Sequence, residues 1–262
     1  MNTIYYSSNV RKTQHLQKLK NPRNLSCILC CLGTFMCMAF CGTAQAEDCI
    51  GKIEAGPTYL HLDILESGKT IKKVNMPAIR IDGSGMVWKG ICVKPSFLYG
   101  GKGNTQTLSC GLGAGLVYKP IECLCITPSI GCSYAQFRTT LRVNVPENVR
   151  IALNLPENMR VDVREKFYSI SPYGSIDITY TIVKGLRICG IFQYVWSDTH
   201  TTIKGSGSTT SHPKGQNYAL ILEKDINERW SINIAGAYND SLTKEKHGVR
   251  AYGARIAAAY WY

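Results

Sequence analysis

Residues 168–182 read Tyr-Ser-Ile-Ser-Pro-Tyr-Gly-Ser-Ile-Asp-Ile-Thr-Tyr-Thr-Ile, and their period decides the fold. The even positions are apolar or small: Tyr168, Ile170, Pro172, Gly174, Ile176, Ile178, Tyr180 and Ile182. The odd positions are mostly polar: Ser169, Ser171, Tyr173, Ser175, Asp177, Thr179 and Thr181. Successive side chains of a strand point to opposite faces, so this is one long strand with an apolar face and a wet one. Trp230, Ile232, Ile234, Gly236 and Tyr238 alternate with Ser231, Asn233, Ala235 and Ala237 in the same way. From Leu186 to Ser197 the apolar face carries Ile188, Phe192, Tyr194 and Trp196, and the other carries Arg187, Cys189 and Gln193.

A soluble sandwich alternates too, so the period alone does not choose between it and a membrane barrel. Three further features do. The wet face carries small residues and isolated charges, and aromatics such as Trp230 and Tyr238 mark the strand ends, where a membrane barrel has its interfacial girdles. The connections alternate: 119–122, 183–185 and 225–228 are tight, whereas Arg138–Lys166, Asp198–Lys214 and Asn239–Gly248 are long and polar or glycine-rich. Short turns on one side and long loops on the other is the membrane-barrel asymmetry. Beyond the leader no segment is apolar enough for a spanning helix, but a spanning strand needs only about 9–11 residues.

Counting back from the C-terminus places strands near 249–262, 229–239, 215–224, 186–198, 167–182, 123–137, 105–118 and 86–100. An even number then adds 75–82 and 50–63, making ten. Met76-Pro77 interrupts the short, charged 75–82 segment; if 50–82 is a plug or arm instead, eight strands remain. The expected fold is an all-β antiparallel transmembrane barrel with short periplasmic turns and long outer loops.

The last strand carries a resemblance. Tyr252, Ala254, Ile256, Ala258, Tyr260 and Tyr262 share one face, and the chain stops on an aromatic. This resembles the C-terminal signature of Gram-negative outer-membrane barrels, small attachment or opacity types among them, with tyrosine where phenylalanine or tryptophan is usual. The resemblance implies an outer-membrane location with both termini in the periplasm. It also implies that Tyr252, Ile256, Tyr260 and Tyr262 present an assembly signal to the barrel-assembly machinery. The cysteine-rich composition resembles, more weakly, the disulfide-linked envelope proteins of chlamydiae.

Residues 1–46 read as an address. Arg11, Lys12, Lys18, Lys20 and Arg23 precede an apolar run from Leu25 to Phe40, and Ala44-Gln45-Ala46 forms a small-x-small cleavage pattern. A cleaved signal peptide is the expectation and an uncleaved anchor the alternative, leaving 47–262 as one barrel domain. The formal charge of +12 includes those five leader cations and no leader acid, so +7 remains. That balance favours anionic outer-membrane lipid, lipopolysaccharide included. No basic stripe with interleaved aromatics points to nucleic acid.

Export places the cysteines beyond the leader in an oxidising compartment. Seven remain, Cys49, Cys92, Cys110, Cys123, Cys125, Cys132 and Cys189, an odd number. Folding the chain about Pro120 sets Cys110 opposite Cys132 on the lipid-facing side, a conceivable cross-strand disulfide. Cys49, Cys92, Cys123, Cys125 and Cys189 fall toward the periplasmic half as candidates for links to other envelope proteins. The spacing of Cys123 and Cys125, with no histidine near, does not suit a metal site, and no cofactor motif is present.

Within the barrel, Lys52, Glu54, Arg80, Asp82, Lys94, Asp177, Arg187, Glu223 and Arg255 fall on the lumen face, and Arg255 is within reach of Glu223 on a neighbouring strand. Unpaired charge there is costly, so a paired network filling a narrow lumen competes with a polar conduit. In the loop 138–166, Asn144–Leu153 and Asn154–Val163 form a tandem repeat with Pro-Glu-Asn at its turns. Each unit reads as strand and turn, either a stiff hairpin or a surface for adhesion or self-association. Asp198, His200, His212, Asp240 and His247 map to outer loops, and Asp198 and His200 share a face in a way that can orient an imidazole. A structural or surface role in adhesion or envelope integrity is the expectation; a narrow channel, or an outer-rim hydrolase, is the alternative.

Overall fold

The computed structural model describes residues 51–144, 151–152, 154, 156, 160–203 and 207–262. The leader, Cys49 and most of the tandem repeat lie outside the described residues. The strands are β1 (Lys52–Glu66), β2 (Lys69–Trp88), β3 (Ile91–Lys102), β4 (Thr105–Leu116), β5 (Tyr118–Ile121), β6 (Leu124–Asn144) and β7 (Arg160–Val183). They continue with β8 (Leu186–Trp196), β9 (Asp198–Ile203), β10 (Gly207–Ser211), β11 (Lys214–Asp225), β12 (Trp230–Leu242) and β13 (Gly248–Trp261).

Ten of these close into an antiparallel barrel in the order β1-β2-β3-β4-β6-β7-β8-β11-β12-β13, and β13 pairs back onto β1 from Lys52↔Trp261 to Leu65↔Gly248. The pairings that leave the middle of β1 at Thr58 climb through Ala78, Gly100, Thr107, Phe137 and Phe167 to Thr201, above the end of β8. That stagger is what tilted strands in a closed barrel require. β5 is a short strip on the base of β6, whereas β9 and β10 prolong the β8–β11 hairpin past the rim.

β1 begins and β13 ends at the same end of the barrel, here the lower. The upper end differs from expectation. Ser67 and Gly68 (φ 49° and 77°) turn tightly between β1 and β2, as positive φ at both central positions of a type I′ hairpin allows. Residues 103–104 turn between β3 and β4 just as briefly. Much of what reads as long loop is strand: β6 and β7 stay paired to Asn144↔Arg160, and β12 runs to Leu242. Where a strand runs past the closed barrel both of its faces meet water, so the alternation of an apolar and a polar face fades there.

Two expectations about local register are corrected. The weak 75–82 segment is the middle of the 20-residue β2. Pro77 sits one residue beyond Ala78↔Gly100, where the β3 ladder stops, and proline is tolerated where no partner needs its missing N–H. Across β4 and β6, Cys110 faces Tyr134 and Cys132 faces Leu112, two residues from the expected pairing, because β5 takes up chain between them.

The outer wall is apolar. Ile79, Ile130, Ile170, Leu220, Ile234 and Ile256 are each more than half exposed, a continuous surface that would drive a soluble protein to associate. Aromatic rings bound it. His61, Tyr252, Tyr238, Tyr218 and Phe192 are successive cross-strand partners with centroids 5.2–6.4 Å apart, a row that slants down the wall from the upper margin at β1 with the stagger of the strands. At the lower margin Trp230 and Tyr260 lie 5.1 Å apart, and exposed Trp88, Tyr118 and Tyr180 stand toward the same end of other strands. Tyr252, Ile256, Tyr260 and Tyr262 take their places on this outer face.

Candidate functional site

The lumen holds the chemistry. On its lower half, inward residues of β8, β11, β13, β1 and β2 form one alternating chain of charge. Arg80 donates from Nε to Asp82 at 2.6 Å, and Arg255 donates from Nη1 to the same carboxylate at 2.5 Å. Arg255 also grips Glu54. Lys52 then stands 3.0 Å from Glu54 and 2.8 Å from Glu223, and Glu223 accepts from Arg187 at 2.7 Å. Arg187 ends the chain on Asp225. Four cations meet four carboxylates, so the cluster is neutral as a whole.

Sequence reasoning placed Arg255 against Glu223; the register instead seats it between Glu54 and Asp82. Asn233, fully buried, donates to Glu54 at 2.9 Å and has its carbonyl 3.5 Å from Arg255. Trp261 was not singled out. It faces inward one residue before the terminus, with Arg187 4.6 Å and Lys52 5.3 Å from its ring, and donates to Ser231 at 3.1 Å. The signal for it was present: odd residues of β13 point inward, and 261 is odd.

The opposite side of the lumen is spanned differently. Lys94 on β3 reaches Asp177 on β7 at 2.7 Å, across the two strands between them. This is possible because β4 offers Gly111, Gly113 and Gly115 inward, with Gly131 beside them on β6. A Cβ at Gly113 would meet the Tyr173 hydroxyl at 2.5 Å, so the tyrosine lies flat where side chains are missing. The alternate glycines of Gly111–Gly115 were the legible sign of this groove.

Higher in the lumen the filling turns apolar. Leu62, Val74 and Met76 are buried together, and Leu60, Phe137, Val249 and Ala251 pack against them. Lys72, above them, crosses the gap over the short β3–β4 hairpin to donate to Thr139 at 2.7 Å, and Thr105 bonds the same hydroxyl at 2.9 Å. Charge below and hydrocarbon above therefore occupy the bore in series.

The cysteine expectations change. No two described cysteines lie at disulfide distance. Cys110 and Cys132 point outward but are diagonal neighbours rather than opposite partners. Cys92 is buried on the lumen wall, and Cys125 and Cys189 also face inward, so a barrel wall separates all three from any second chain. Cys123, in the connection at the lower end, is the described candidate that remains placed for such a link. Among the described residues no group of histidine, cysteine and carboxylate side chains is arranged to hold a metal.

At the upper rim, Asp198 and His200 share the outward face but do not meet. Asp198 engages Nδ1 of His212 at 2.5 Å, with both side chains largely exposed. His200 stacks on Tyr168 at 5.1 Å and places Nδ1 2.9 Å from the Thr210 hydroxyl. Asp240 sits 3.5 Å from Arg250, and His247 lies in the 243–247 turn, where its backbone N–H donates to Thr243. The five residues form separate contacts, not one constellation.

No protein-family model matches the chain, and no curated protein does. Among solved structures it is similar to the outer membrane protease OmpT from Escherichia coli, at 12% identity and TM-score 0.49, over 84% of this chain and 99% of that one. The translocator domain of autotransporter NalP from Neisseria meningitidis aligns at 9% identity and TM-score 0.49, over 91% and 97%. Ail, the attachment invasion locus protein of Yersinia pestis, aligns at 13% and 0.39, over 82% and 100%. Likeness at this level assigns no role.

Proposed function

We propose that this chain is an outer-membrane barrel with a sealed lumen, which works through its outer rim rather than by conducting solutes. The apolar belt between two aromatic margins supports insertion, since a bilayer is what would cover it. The lower end, where β1 begins and β13 ends, then faces the periplasm.

The observation that carries the sealed reading is the stacking of a neutral ion-pair chain beneath an apolar cluster. A solute crossing the lower half would have to part buried opposite charges, each left unpaired at a cost of several kcal/mol. It would then meet hydrocarbon. Interaction falls to the wall raised by β6, β7, β9 and β10, whose upper strand edges on β6 and β10 have no described neighbour and offer unpaired backbone groups to another chain. Envelope attachment through Cys123 is a second route to the same role, read as a reducible higher band on gels of intact envelopes.

Purified protein in planar bilayers tests the sealed lumen. The expected result is insertion without unitary current steps. Stable, reproducible single-channel steps from wild-type protein would contradict it and restore the channel reading.

A further inference from the structure

Just above Tyr168, the highest outward aromatic of β7, the outward face of β6 and β7 gathers three cations. Arg138 and Lys166 are directly opposed across the two strands, and Arg164 follows Lys166 on the same face. Like charges directly opposite one another destabilise a sheet. Among the described residues no carboxylate forms an ion pair with any of the three. Gln136, with its amide oxygen turned toward Arg138, accepts from Nε and Nη2 at 2.7 and 3.1 Å, which fixes the guanidinium without neutralising it. The next outward carboxylate, Asp162, lies two residues further up β7, opposite Arg142.

These cations line a cleft of about 520 Å³. It exists because the β3–β4 hairpin stops at its short turn while β6 and β7 run on. Gly103, Asn104 and Gln106 make a ledge, and Arg138, Arg164 and Lys166 stand in the wall above it with Thr140 and Thr202, while Thr139 and the Glu165 carboxylate line it from the inward side, so the cations outnumber the acid three to one. Lys166 is two residues and Arg164 four residues beyond Tyr168, on the order of 5–10 Å along a tilted strand. The Lys166 ammonium stands over the Tyr168 ring, 6.0 Å from its centroid.

We infer that this cleft binds the phosphorylated sugar headgroup of a lipid in the surrounding leaflet. Guanidinium groups pair with phosphate oxygens in a two-pronged geometry, and the amides and hydroxyls around them suit a sugar. A lipid is the occupant the position favours, because the three cations stand on the outward face of the wall, just above the exposed apolar side chains of the same strands. The inference rests on the membrane reading above.

The test uses the full barrel folded in detergent micelles, with bound lipid counted by native mass spectrometry. The probes are bisphosphorylated lipid A, the same lipid stripped of its phosphates, and a heparin fragment as soluble polyanion. Wild-type protein is expected to retain the phosphorylated lipid at least ~10-fold better than the stripped one, an advantage that shrinks with added salt. The triple variant Arg138→Gln, Arg164→Gln, Lys166→Gln should lose that preference, while Lys224→Gln, an outward cation at the lower end, should keep it. Equal retention of the two lipids, or an unchanged preference in the triple variant, would overturn the proposal. Tighter binding of the heparin fragment through the same three residues would overturn it too, in favour of a soluble partner. A chain without heat-dependent gel mobility would fail as a membrane barrel; one that shows it but lacks the preference loses this site alone.

Discussion

A basic and an acidic side chain meet at two levels of this molecule, and their surroundings could hardly differ more. In the lumen, the Arg255 and Glu54 side chains are each 6% exposed. At the rim, those of His212 and Asp198 are 73% and 67% exposed. Both contacts are short. The lumen pair has been taken from water and must be satisfied completely, which the added contacts of Asn233, Asp82 and Lys52 achieve. The rim pair exchanges one set of hydrogen bonds for another in a high dielectric. Contact distance thus says little about what a pair contributes; what replaces it when it is broken says more.

The sharpest way to break this contrast is Arg255→Ala, which leaves Glu54 with Lys52 and Asn233, leaves Asp82 with Arg80 alone, and puts one carboxylate in excess over the cations of the cluster. A loss of roughly 3–5 kcal/mol is expected in urea unfolding from lipid vesicles. Arg255→Met combined with Glu54→Met should recover most of it, since the cost lies in the buried carboxylate left in excess and the double change makes the cluster neutral again. Next comes the glycine groove opposite. Gly113→Ala sets a methyl against the Tyr173 hydroxyl and should cost about 1–3 kcal/mol, and Tyr173→Phe on that background should restore part of it.

A smaller, pH-dependent effect belongs to Glu165, which faces inward on β7 above the membrane. Burial, then the nearby Glu66, push its carboxyl above the ordinary carboxylate range, with Lys72 opposing them. The folded state therefore binds this proton more tightly than the unfolded one. Stability should be fullest below the ordinary carboxylate pKa and fall as pH rises through the raised one. Glu165→Gln should flatten that part of the unfolding profile. Smallest of all, Asp198→Asn should change stability by at most ~1 kcal/mol, and less in high salt. A rim effect as large as the lumen one would remove the distinction between the two regions.

The spanning parts of β7, β12 and β13 were legible because lipid on one side and packed polar groups on the other impose a period of two. Their inward and outward residues follow from parity alone, Asp177 and Arg255 included, as do Arg187 on β8 and Glu223 on β11. Which charge meets which was not legible, since Glu54, Asp82 and Arg255 come together only through the register of β2, β1 and β13. The full extent of β2 was hidden by Lys69, Lys72 and Lys73 near its start and by Pro77, all outside the regular alternation. The Cys110–Cys132 pairing failed for a local reason: β5 consumes residues that a simple hairpin about Pro120 does not.

The central claim, a barrel whose bore is closed, can be read from its own cysteines. In single-cysteine variants folded into vesicles, outward Cys132 should react with a lipid-soluble maleimide and resist a charged, membrane-impermeant thiol reagent. Inward Cys92 and Cys189 should resist the charged reagent as well, while Cys123 at the lower rim reacts with it. Rapid modification of Cys92 and Cys189 by the charged reagent would mean a water-filled lumen, and the sealed-barrel account would be wrong.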